Sequence, residues 1–168
     1  MGLNIDGLEE FVNQMGKFKE ELPNKFKEWL DASGMAFLDI VQDEIIRTET
    51  VDKRRLLNSF TKSAWNNVFI LSSGGMTLEV GTNVEYAWYV NDGHFTIDPN
   101  SGKDRRWVPG HWKGDSFVYD PSSQTGMLLT FKWIDGTNYW DTAIAIFEKL
   151  FEKGMERKLQ QFMDECFK

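Results

Sequence analysis

The chain has 168 residues, 41% of them apolar, and a formal charge of −7. That apolar fraction excludes compositional disorder. The single cysteine, Cys166, excludes an internal disulfide and a cysteine-rich metal site, and the acidic balance argues against broad binding to a phosphate backbone.

No stretch approaches the ~20 apolar residues of a bilayer-spanning helix. Met1 to Glu10 carries acidic residues and no basic ones, the wrong charge for a secretory signal. Neither a membrane nor a specific nucleic acid is therefore expected as a partner. Aromatic residues make up 14% of the chain, including seven Trp and thirteen Phe. A core of this size needs fewer rings, so the surplus is expected at an interface or a ligand face.

Leu8, Phe11, Val12, Met15, Phe18 and Leu22 recur at three- and four-residue steps, one face of an amphipathic helix. Pro23 is expected to end it and to open a second helix, whose face is Phe26, Leu30, Phe37, Val41 and Ile45, reaching about Arg47. Asp52 is placed to cap a short helix over 53–58. From Phe60 the pattern turns to strands. Ala64 to Leu71 and Met76 to Gly81 flank Ser72-Ser73-Gly74-Gly75, which predicts a hairpin. Tyr86 to Val90 reads as a short helix closed by Gly93. His94 to Arg106 reads as a polar, turn-rich mobile loop, Arg106 to Tyr119 as a second hairpin, Asp120 to Gly126 as a loop, and Met127 to Ile134 as the strand that closes the sheet.

Asn138 then caps a helix with the stripe Trp140, Ala143, Phe147, Leu150, Phe151, Leu159, Phe162 and Cys166. From Asn138 to Cys166 it would run about 40 Å, longer than one domain needs, so its far half is expected to meet another subunit. The expectation is a single α+β domain over 1–168: helices over 1–48, a β-rich, mostly antiparallel core over 60–134, and a C-terminal helix over 138–167.

Chemistry is sparse. His94 and His111 sit in no metal-ligand spacing, and a His94, Asp98, His111 site has nothing to recommend it over two surface histidines. No nucleophile elbow and no phosphate-cradling glycine loop occurs. Cys166 lies on the apolar stripe and reads as a small packed residue. No catalytic residue, metal or cofactor is assigned, and the chain is expected not to be an enzyme. The most distinctive stretch is Arg105 to Tyr119. Its Trp107, Trp112 and Tyr119 either stack on sugars, as in a cell-wall-binding module, or fill a core or a neighbouring subunit. Packing is preferred, since the rings alternate irregularly. The candidate interface is therefore Trp107, His111, Trp112 and Tyr119 on the hairpin, with Leu150, Phe151, Leu159 and Phe162 on the last helix.

Two segments carry a family resemblance. Asp52 to Phe60, which ends Leu56-Leu57-Asn58-Ser59-Phe60, is similar to the Leu-x-x-Ser-Phe segment of siphophage-type tail-completion and neck proteins. Leu78 to Gly93, with Gly81, Tyr86, Ala87 and Gly93, resembles their strand, Gly-Thr, Tyr-Ala and terminal glycine run. Arg54 stands where Gly is common, and Asn91 where Glu is common. The segments Trp107 to Trp112 and Gly126 to Tyr139 resemble a subgroup from phage-like elements and contractile-tail particles.

The resemblance implies a cofactor-free α+β subunit of a homo-oligomeric ring, commonly a hexamer, at the head-proximal end of a tail. There it would join the tail terminator, tube or sheath to the connector. It also implies a location in a virion or phage-like particle made in the bacterial cytoplasm.

Overall fold

The structure, a computed structural model, describes residues 8–50, 54–72 and 77–167. The chain packs as two compact units, one of residues 1–87 with 139–168 and one of residues 88–138.

The first unit is built on two long helices. α1 runs Leu8–Arg47 and α4 runs Tyr139–Cys166. The expected break at Pro23 is absent, and the proline sits inside α1. Proline offers no N–H to the carbonyl of Lys19, and its ring crowds that turn, a cost of about 3 kcal/mol. Packing on α4 offsets it. Phe162 stacks on Phe18 at 5.2 Å, before the proline, and meets Trp29 edge-on at 6.2 Å, after it. One ring of α4 thus splints both sides of the proline.

The two helices lie antiparallel. Phe11 and Phe18 approach Phe167, while Phe37 lies 5.1 Å from Trp140 and from Phe147. The expected overhang of the last helix is therefore corrected, because α1 is longer still and accompanies it. Phe162 and Cys166 are buried by the chain itself.

Past α1, the short helix α2 covers Arg55–Ser59. It starts after Arg54, whose φ of +56° is left-handed. The predicted Asp52 cap and the start at Lys53 fall outside the described residues. β1 (Asn67–Leu71) and β2 (Leu78–Thr82) form the expected antiparallel hairpin, in register from Asn67 opposite Thr82 to Leu71 opposite Leu78. Phe69 and Leu78 lie where a side chain at Gly34 would stand, so glycine lets α1 seat on the hairpin. The unit's centre is Phe37, Leu38, Val41 and Ile45 of α1, Leu56 of α2, then Phe60, Val84, Tyr139 and Ala143, all buried.

α3 (Ala87–Asp92) is the predicted short helix, and the division between units falls after Ala87. Gly93 ends α3 with φ +87° and opens β3 (Gly93–Phe95). β3 pairs antiparallel with β7 (Trp133–Asp135), Gly93 opposite Asp135. The amides of Thr137 and Asn138 donate to the carbonyls of Val90 and Asn91, so the start and end of the second unit are clasped together. β4 (Arg105–Lys113) is the long strand. Its first half pairs with β6 (Gly126–Thr130) and its second half with β5 (Ser116–Tyr119), giving the order β5-β4-β6.

Three expectations change here. The sheet predicted over 60–134 is three small sheets, one in the first unit and two in the second. The strand predicted over 127–134 is two strands, interrupted at Phe131 and Lys132. The loop predicted over 94–106 is regular at both ends, with His94 and Phe95 in β3 and Arg105 and Arg106 in β4. A 3-10 turn, Pro99–Ser101, lies between.

Candidate assembly surfaces

The motif residues assemble one hydrogen-bonded corner of the first unit. Ser59 Oγ donates to the carbonyl of Leu56 at 2.7 Å and accepts from Thr82 Oγ1 at 2.7 Å. Thr82 Oγ1 in turn accepts the amide of Val84 at 3.1 Å. Asn67 Nδ2 donates to the carbonyl of Ser59 at 2.9 Å. A serine serves here because it is small enough to bury and both donates and accepts. Phe60 follows into the core, its ring 6.2 Å from Tyr139 and 5.9 Å from Trp140. Tyr139 Oη donates to the carbonyl of Ala87 at 3.3 Å. Gly81 pairs with Val68 in the hairpin, Leu57 is half-buried, and the exposed ring of Tyr86 lies under the guanidinium of Arg55. These residues hold the unit together.

The second unit buries little. Among its residues, Ile97 is the one apolar side chain, glycine aside, that is fully buried. Eight of its nine aromatic rings are exposed: Trp88, Tyr89, Phe95, Trp107, Trp112, Tyr119, Phe131 and Trp133. Each half-exposed ring forgoes on the order of 1–2 kcal/mol of burial. Trp107 stands opposite Leu128 across β4 and β6, and both are more than half exposed. On the other half of β4, Trp112 faces Phe117, His111 faces Val118, and Tyr119 stands opposite Gly110. Of the predicted interface, Trp107, His111, Trp112 and Tyr119 are thus all exposed on one three-stranded sheet.

Sequence reasoning did not single out Phe95, Phe131 and Trp133. They form an exposed cluster in which Phe95 stacks on Phe131 at 5.0 Å and meets Trp133 edge-on at 4.9 Å. The usable signal was the Phe131-Lys132-Trp133 alternation.

The predicted residues on α4 divide. Leu150 is 59% exposed, whereas Phe151 and Leu159 are half-buried. Phe162 is buried against α1 and leaves the candidate surface, a correction that follows from its contacts with Phe18 and Trp29. Leu150 and Phe151 line a groove of about 250 Å³ between α1 and α4, together with Ala32, Ala36 and Gly154. α1 also exposes Met35 and Ile46 on its outer side, which sequence reading passed over.

Among the described residues, no group of three or more His, Cys, Asp or Glu is placed to hold a metal, and no helix is long and apolar enough to cross a membrane. His94 meets Tyr89 edge-on at 5.4 Å. Cys166 is buried.

Residues 9–93, which hold α1, α2, the hairpin and α3, match the family described as "Bacteriophage HK97-gp10, putative tail-component". The chain is 54% identical over 167 residues to "Uncharacterized protein YqbI" of Bacillus subtilis (strain 168), covering 98% of this chain and 100% of that protein. It is 52% identical over 135 residues to "Phage-like element PBSX protein XkdI" of the same organism, covering 80% of this chain and 81% of that protein. No solved structure matches. The motif corner around Ser59 lies inside the matched segment, and the chain belongs to the HK97-gp10-like family of bacteriophage tail components.

Proposed function

We propose that this chain is a non-enzymatic subunit of a hexameric ring at the head-proximal end of a phage or phage-like tail. There it completes the tail and joins tail terminator, tube or sheath to the connector. Similarity to a protein named for a phage-like element supports a particle as its place of action.

The carrying observation is the second unit, where eight exposed rings accompany a single buried apolar side chain larger than glycine. Surface of that kind is covered in an assembly. A cyclic ring supplies the cover by joining one face to a different face of the next copy. The residues that structure the motif corner donate and accept hydrogen bonds within the chain, which is the work of a scaffold.

Electron microscopy of particles carrying a gold-labelled subunit tests the position. Label at the head-proximal end of the tail is expected. Label at the distal tip, or particles that finish normally without the protein, would refute it.

A further inference from the structure

We propose that the β4 face of one copy docks on the outer stripe of α1 of the next copy. The proposal rests on the ring reading and adds to it the two surfaces that meet.

The α1 side is a helical stripe. Met35, Asp39, Asp43 and Ile46 stand four, four and three residues apart, on one face of α1, and all four are exposed. From Glu28 to Ile46 the sequence has five acidic residues and no Lys or Arg. Asp31 is paired with Lys62 and Glu44 with Arg47, while Asp39 and Asp43 enter no ion pair among the described residues. The stripe is thus apolar at both ends and uncompensated negative in the middle.

The β4 side has the opposite sign. Arg105, Arg106 and Lys113 lie on β4, which holds no acidic residue. Strand alternation puts Arg105 in phase with Trp107, which is cross-paired with Leu128, and Lys113 stands at the far end of the same strand opposite Ser116. All of these are exposed, and neither Arg105 nor Lys113 enters an ion pair among the described residues. Arg105 and Trp107 are about 6–7 Å apart along the strand. Met35 and Asp39 are about 6 Å apart along the helix. A cation and a ring on one surface therefore match an anion and an apolar side chain on the other in spacing and sign.

Copies carrying −7 each repel. An interface between them needs local charge complementarity, which this pair of surfaces provides. The two surfaces differ, so the contact is heterologous and each copy keeps one of each free for the next neighbour, as ring closure requires.

Charge reversal on the full-length chain tests this, read by native mass spectrometry and sedimentation, with circular dichroism as the check on folding. The wild-type chain is expected to form a closed ring. R105E/K113E and D39K/D43K are each expected to stay folded and to weaken self-association by at least about tenfold. Mixing the two variants should restore rings of even number, because each reversed face then meets a reversed partner. Should either variant lose structure, R105Q and D39N replace them, with the same direction expected.

Rings that persist in each single-face variant would overturn the proposal and leave the ring reading standing. Folded monomers that mixing fails to rescue would do the same. So would unchanged rings in a β4 variant that has lost affinity for a single-stranded oligonucleotide, which would assign that face to nucleic acid. A monomeric wild-type chain would instead remove the ring reading first.

Discussion

Thr82 and Ser59 are joined hydroxyl to hydroxyl at 2.7 Å, and through that bond the end of β2 is tied to the last turn of α2. Ser59 is 1% exposed, so its lost bonds would not be replaced by water. Ser59→Ala removes the acceptor of the Thr82 hydroxyl proton and the hydroxyl donated to the carbonyl of Leu56, leaving Thr82 Oγ1 its bond from the Val84 amide. The expected cost is roughly 1–3 kcal/mol, read from urea unfolding. An unchanged midpoint would show that the corner is held by packing alone.

Arg54 sits at φ +56° immediately before α2, where the resembling segments commonly carry glycine. A non-glycine residue there is strained by roughly 1–2 kcal/mol, while glycine is freer in the unfolded chain. Arg54→Gly is expected to raise stability by up to about 1 kcal/mol, visible as a higher melting temperature. A fall would mean that the arginine side chain contributes more than its backbone costs.

Gly93 has φ +87°, and a Cβ there would stand 2.6 Å from the carbonyl oxygen of Ile134. Both the backbone sign and the close approach of β7 demand glycine. Gly93→Val should loosen the clasp between β3 and β7, lowering stability by at least about 1–2 kcal/mol. Faster hydrogen exchange over 93–95 and 133–135 is the specific readout. Wild-type exchange rates there would contradict the reading.

Phe162 and Leu150 lie on the same helix and predict opposite outcomes. Phe162 splints α1 around Pro23, so Phe162→Asp buries a charge between Phe18 and Trp29 and should unfold the helix pair, a loss of several kcal/mol. Leu150 is exposed, and Leu150→Asp should leave the circular dichroism spectrum unchanged. A Phe162→Asp chain that stays folded would return the far half of α4 to the assembly surface.

Periodic patterns of long reach were legible. The apolar stripes of α1 and α4, the pairing of β1 with β2, the short helix before Gly93 and the hairpin over 106–119 follow from local spacing and turn residues, the predicted turn at Ser73-Gly74-Gly75 lying outside the described residues. What failed was decided by tertiary contact. Pro23 carries a local stop signal that Phe162, 139 positions away, overrides. Phe131 and Lys132 divide one apolar run into two strands because Gly93 to Phe95, distant in sequence, pairs with the second. On the surface, the hairpin rings could be named from sequence because they exceed what a core needs. The stripe Met35, Asp39, Asp43, Ile46 could not, because its apolar members sit among charges and read as a solvated face until Phe37, turned away from it on α1, is seen packed on Trp140 and Phe147.

A chain that works as a closed ring, as proposed, should show it in the mass of the purified wild-type protein in solution. Native mass spectrometry across a range of concentrations is expected to show one dominant species, six copies of the 19.5 kDa chain, with no ladder of larger sizes. A monomer that persists at the highest concentration, or an open-ended ladder, would contradict it.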